Sequence, residues 1–401
     1  AASLYAIPSD DFEVLRVTFA FRAGASTQHA PFAASATANM LSEGSRDMTA
    51  RQIAERLDFH GSYFEVNVDR DYVYISFSSL SKFFGPTLEV AEQILLQPLF
   101  PEDELRAYCE KRKQTLTIER RKVDTVVREI FAEALFGDKH PYGISYPEKD
   151  YDTLTRADLE SLYRRLYTAE NCLVVCSGRI GEEELQGIGA LAEKLPRADR
   201  SATADFPAPR SEAYRFVERP DAVQSSLRVG RLLFTRTHPD FVGMQVVATV
   251  LGGYFGTRLM QHLHGEHGNT YGVGAAIVYI EREGSLGIAA QVGAEVTAPA
   301  LREIYNEIER LRREPMPEEG LSLVKDLMTG EVMRILDGPF GIADVTIENL
   351  LCGTNNGVIE ENIRRIQAIT PAEVQRLAVK YLRREDLITA VVGAVDPKHE
   401  I

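Results

Sequence analysis

Residues whose identity and spacing suit them to chemistry are few. His262, His264 and His267 form the one histidine cluster, with residues 264 and 267 on a shared helical face beside Glu266. That is ligand-like spacing, but Gly265 and Gly268 interrupt the helix and no further ligand is preorganised, so no metal is expected there. Gly252-Gly253 and Gly272-x-Gly274 lack the Lys or Gly-x-Gly-x-x-Gly setting of a phosphate loop. Cys109, Cys172, Cys176 and Cys352 are too few to staple a secreted scaffold. Cys172 and Cys176 lie four apart in an apparent strand, about 13 Å between Cα atoms, beyond the ~7 Å reach of a disulfide. Free thiols favour a reducing compartment, cytoplasm over periplasm, while the start at Ala1 leaves a removed signal open.

The elements that must position these residues belong to a globular chain. Its 401 residues are 44% apolar and 26% charged, enough for two or three domains or one repeated fold. A net charge of −14 argues against nucleic acid or an anionic membrane as partner. The apolar, uncharged run 241–257 is 17 residues with Gln245, two Thr and four Gly, too short and polar to span a bilayer.

Leu4-Tyr5-Ala6-Ile7 and Val14 to Ala23 read as strands. An alanine-rich helix follows from Phe32 to Ser45, then a helix over 48–57 with Thr49 as N-cap and Gln52 as its capping-box partner. Residues 63–68 and 72–77 flank Asp69-Arg70-Asp71 as a hairpin. Helices are predicted over Phe84–Leu96 and, as one long element, Pro101–Phe136. The charged middle of the latter reads as a solvated face with interleaved signs, not a nucleic-acid patch.

The stretch from Thr155 to Gly178 aligns without a gap with Thr370 to Gly393, at an offset of 215. Leu162 meets Leu377, Glu170 meets Glu385 and Asn171 meets Asp386. In each copy a capped helix runs into a buried strand. Strand 225–234, helices 241–251 and 257–264, hairpin 271–292 and helices from Ala298 repeat the order of the first half. The chain is therefore an internal duplication, α+β in class. Two homologous domains are expected, 1–194 and 212–401, each a mostly antiparallel or mixed sheet with helices on one face. The Pro/Ala/Ser/Asp-rich segment 195–211 would link them.

Strand, Arg22-Ala23-Gly24, loop, helix, Met40-Leu41-x-x-Gly44-Ser45 resembles the first active-site helix of the M16 (pitrilysin-like, mitochondrial-processing-peptidase-like) metallopeptidases. Phe131 to Gly137, His140-Pro141-Tyr142-Gly143, the duplication and Tyr271-Gly272-Val273-Gly274 extend the resemblance over nearly the whole chain. Active members carry His-x-x-Glu-His just before that Met, where the histidines and a later Glu hold zinc and the motif's Glu is the general base. Here the five positions are Ser35-Ala36-Thr37-Ala38-Asn39. The resemblance puts Ser35 and Asn39 at the histidine positions, Ala38 at the base and Gln114 at the third ligand; placing the last at Thr115 changes nothing. None of these is a good zinc ligand or base, so no metal and no catalytic residue are expected in this chain.

Family members also carry Arg-x6-Tyr-Gly in the second half, which holds the substrate backbone at a partner's zinc site. The resemblance places Tyr271 at the Tyr and His264 at the Arg, with Arg258 a nearby cation at another family position. A neutral imidazole keeps one donor but not the charge or fork of guanidinium. The resemblance implies a non-catalytic subunit of a dimeric zinc peptidase. It would complete a peptide-binding chamber with a zinc-bearing homologue or with itself, take unfolded polypeptide and leave zinc to the catalytic partner. The alternative is a structural or assembly protein of the same fold without a proteolytic role.

Overall fold

A computed structural model describes residues 2–198, 205–267 and 270–401, apart from the side chains of residues 262–271. Residues 199–204 of the expected linker lie outside it. The first half of the chain forms β1 (Ser3–Pro8), β2 (Val14–Phe21), α1 (Ala33–Met40), α2 (Ala50–Phe59), β3 (Tyr63–Val68), β4 (Val73–Leu80), α3 (Phe84–Leu96), α4 (Glu102–Glu119), α5 (Val123–Phe136), α6 (Arg156–Leu166), β5 (Cys172–Gly178) and α7 (Glu182–Glu193). The second half forms β6 (Tyr214–Glu218), β7 (Gln224–Leu233), α8 (Phe241–Thr249), α9 (Phe255–His267), β8 (Thr270–Tyr279), β9 (Gly284–Gly293), α10 (Thr297–Arg313), α11 (Glu318–Ile335), α12 (Pro339–Leu351), α13 (Gly357–Ala368), α14 (Pro371–Tyr381) and β10 (Ile388–Gly393).

Each half builds one five-stranded sheet, ordered β1-β5-β2-β4-β3 and β6-β10-β7-β9-β8. In both, the first strand pairs in parallel with the last and the remaining pairs are antiparallel. The duplication thus extends from sequence to strand order. Local signals act as expected: Thr49 and Gln52 close a reciprocal capping box at the head of α2, and Thr370 caps α14. Gly24 is required by a close approach, because a Cβ there would lie 2.5–2.6 Å from the Asp69–Tyr72 backbone.

The helix expected from 101 to 136 is two helices. The chain leaves helical geometry at Lys122, whose ψ is 129°, although no Gly or Pro marks the spot. Arg120 bridges the break with two hydrogen bonds to Glu129, at 3.0 and 3.1 Å. What stops the helix is the docking of its two parts on different cores. Two compact units result, and neither is a simple half of the chain. One comprises residues 1–116, 146–205 and 335–356; the other comprises 117–145, 206–334 and 357–401.

In the first unit the main core lies under one face of the sheet, where Phe19, Phe21, Val174 and Cys176 meet α1, α3 and α6. The opposite face is also covered: Ala343 and Ile347 of α12 pack on Ala20, Leu173 and Val175. Helices therefore lie on both faces, because every residue of β5 is buried and a strand apolar on both sides needs two covers. The second unit repeats this with α5, whose Val127, Ile130, Phe131 and Ala134 pack on Ile388, Ala390 and Val392 of β10. The two covering helices occupy equivalent places in the duplication, and each serves the other half's sheet.

Ile347 is 5% exposed. Ile347→Ala is expected to cost ~2–4 kcal/mol in urea denaturation; the exposed Ile118→Ala should change stability by less than ~0.5 kcal/mol. In the second unit Asp240 ties the start of α8 to α14, accepting from Tyr381 at 2.5 Å and from Lys380 and Arg376 at 3.3 Å. Burial alone would raise the Asp240 pKa, but these donors bring it below its ordinary value. A lowered folded-state pKa gives stability that is present above the unfolded pKa and lost as pH falls through the folded one. Asp240→Asn should therefore destabilise at pH 7, and the difference from wild type should shrink below about pH 4, the ordinary Asp range.

Candidate functional site

α1 enters from a left-handed residue, Phe32 (φ 65°), whose ring stacks on Tyr151 with centroids 3.9 Å apart. With no side-chain N-cap on Phe32, the free amide of Ala34 is taken by Gln28 Oε1 at 2.9 Å. Ala33, Ala34, Ala36, Thr37, Ala38 and Met40 are buried, and their small size lets the helix sit close to the sheet. Ser35 and Asn39, one turn apart, are left on the accessible side.

The four positions at which the resemblance expects a zinc motif therefore part company. Asn39 is exposed, Ser35 half-buried, and Ala38 has no exposed surface. Asn39 Nδ2 donates to the Ser35 carbonyl at 2.9 Å and to Tyr108 Oη of α4 at 3.4 Å. Gln114 is exposed on α4. It stands about 120° around the helix from Tyr108, whereas Thr115 lies within about 20° of it. The α4 face turned towards α1 thus runs through Tyr108 and Thr115. Desolvation pushes the Tyr108 hydroxyl up to about 12, partly offset by the Asn39 hydrogen bond, so it stays protonated at neutral pH. A serine, a carboxamide and a neutral phenol do not fit a zinc ion, which takes thiolate, imidazole or carboxylate. Among the described residues no group of three or more His, Cys, Asp or Glu is placed to hold a metal.

In the second half, His264 falls in α9 and Tyr271 in β8, and their side chains lie outside the described residues. The same holds for His262 and His267. Arg258 is described: its Nη1 lies 3.7 Å from Glu307 Oε2 of α10, and its guanidinium sits over the Phe255 ring. Glu307 is 8% exposed, and among the described residues that oxygen accepts no hydrogen bond. Gly252 serves packing, since a Cβ there would meet the Ala275 amide at 2.5 Å.

Sequence reading missed Tyr108 and Glu307. Tyr108 was within reach, because Leu105 and Cys109 mark the buried side of α4 and place residues 108, 112 and 115 on one flank. The cysteines lie in apolar surroundings; burial raises the thiol pKa of Cys109 and Cys172 and takes Cys176 up to about 11, which keeps them protonated. All four are free.

A duplicated pair of five-stranded sheets with a helix laid beside the first defines a class of two-domain α+β proteins, and here the helix carries no metal ligands. The model described as "Insulinase (Peptidase family M16)" matches residues 33–147, and that described as "Peptidase M16 inactive domain" matches 153–328. The chain belongs to the M16 peptidase family. An uncharacterized zinc protease of Mycobacterium bovis is 27% identical over 271 residues, 65% of this chain and 61% of that protein. The chain thus matches about three fifths of that relative's length. An uncharacterized zinc protease of Bacillus subtilis is 21% identical over 364 residues, covering 88% of this chain and 86% of its own. A probable mitochondrial-processing peptidase subunit beta of Arabidopsis thaliana is 20% identical over 375 residues, 89% and 70% of the two chains. Among solved structures, an M16 inactive domain from Pseudomonas fluorescens superposes with a TM-score of 0.87 at 22% identity, covering 98% of this chain and 96% of that one. A protease from Helicobacter pylori gives 0.86 at 15% identity, covering 97% and 96%. Both likenesses establish the fold.

The α4 geometry makes a test. Ser35→His with Asn39→His and Thr115→Glu should bind zinc in calorimetry. The same pair with Gln114→Glu should bind it at least roughly tenfold more weakly, the loss of ~1.4 kcal/mol or more for a ligand facing away.

Proposed function

We propose that this chain is the non-catalytic subunit of a dimeric M16-type zinc peptidase, completing a peptide-binding chamber for a partner that bears the His-x-x-Glu-His motif. One observation carries the reading: both halves keep the family fold while α1 presents Ser35, Ala38 and Asn39 where a peptidase of this family needs two ligands and a base. Such a chain has a use beside a chain that keeps those groups. β3 is the outer strand of the first sheet, beside α1, and its free edge can take an extended polypeptide by strand addition. In this reading Tyr271, with His264 and Arg258, meets the substrate backbone at the partner's metal, and zinc is bound by the partner alone.

The substitution of His264 for the family's Arg favours a second reading, an assembly protein of this fold without a proteolytic role. Coexpression with a zinc-motif homologue separates the two. Under the subunit reading the pair cleaves unfolded peptide, neither chain does so alone at a comparable rate, and Tyr271→Phe lowers turnover by about 10-fold or more, one substrate-holding hydrogen bond to the transition state being worth that much. Unchanged turnover in Tyr271→Phe removes the contact. A chain that copurifies only with a larger, inactive assembly supports the second reading.

A further inference from the structure

The positions that no longer suit zinc form a different site. Asn39 uses its Nδ2 group on the Ser35 carbonyl and on Tyr108 Oη, at 2.9 and 3.4 Å. The orientation of the amide follows from the first contact, since a carbonyl can only accept. Asn39 Oδ1 is therefore left as an acceptor, and it has no partner among the described residues. The oxygen of Tyr108 accepts from Asn39, so its hydrogen is left to be donated, and the hydroxyl is kept protonated by its surroundings. A free acceptor and a free donor stand side by side at an accessible place where α1 and α4 meet.

One common group matches that pair. In an extended chain the N–H and C=O of a single residue project from the same side, which is how opposed residues in an antiparallel ladder exchange two hydrogen bonds. We infer that Asn39 and Tyr108 bind the main chain of one residue of an extended polypeptide: Asn39 Oδ1 accepts its N–H and Tyr108 donates to its C=O. Ser35 Oγ, on the same face of α1, lines the approach. Recognition is of the backbone, so it is indifferent to side-chain sequence. This deepens the proposed function and rests on it, because it assumes that polypeptide enters beside α1.

The test uses the full chain with a fluorine-labelled tyrosine at Tyr108, read by NMR. N-acetylalanine methylamide, which presents one such residue, should shift the signal saturably, as should reduced, carboxymethylated lactalbumin at lower concentration. The fully N-methylated analogue, without N–H donors, should not. Asn39→Leu should weaken the response about 3- to 10-fold, the loss of one hydrogen bond, with an unchanged melting temperature. A signal unmoved by both probes overturns the site. If lactalbumin then still binds by fluorescence anisotropy, the chamber reading survives and this site alone is lost; if nothing binds, both are lost.

Discussion

The need to cover a strand that is apolar on both faces governs this chain. β5 and β10 are buried along their whole length. Leaving one face of either in water would forgo about 1.5–3 kcal/mol for each large apolar side chain. The helical layer on the first face cannot supply the second cover. In each unit the cover is a helix from the other half of the sequence, α12 for the first sheet and α5 for the second. The chain therefore passes between the units five times, and residues 1–205 do not contain the whole core of the unit they mostly build. The break between α4 and α5 follows from the same need.

What could be read from the sequence were the features that a few neighbouring residues decide. The Thr49–Gln52 capping box, the Asp69-Arg70-Asp71 turn and the alternating strands of the first hairpin are set locally, and they form as expected. The duplication was also legible, because helix α6 with β5 and helix α14 with β10 solve one packing problem with nearly the same residue types. The break at 120–122 was not. Arg120-Arg121-Lys122 is good helix-forming sequence, and tertiary docking overrides it. The second cover was half legible: the unbroken apolar run from Cys172 to Cys176 signals burial on both faces, but nothing local says which helix will provide it.

At the candidate site, the sequence told which groups are missing and the structure tells what stands there. Arg22-Ala23-Gly24 is explained by the close approach of the hairpin backbone to Gly24. The alanines of α1 are explained by the tight seat of that helix on the sheet. These are demands of packing, and they persist whether or not a metal is held. The accessible side of α1 is under no such packing demand, and it carries Ser35 and Asn39. Tyr108 went unnoticed because a tyrosine on a charged helix reads as an ordinary surface residue until its neighbour across the interface is known.

Ala38 differs from the other altered positions in a way that bears on how far the change has gone. Ser35 and Asn39 look onto accessible space, so a larger ligand could be put back there without disturbing the core. Ala38 is fully enclosed. A glutamate in its place would add several heavy atoms and a carboxylate to a closed environment, and both overpacking and unpaired burial cost stability. At the positions where the resemblance expects two ligands and a base, Ser35 and Asn39 are thus accessible while Ala38 is enclosed. On one helix, therefore, packing closes the Ala38 position while the side that carries Ser35 and Asn39 stays open to contact.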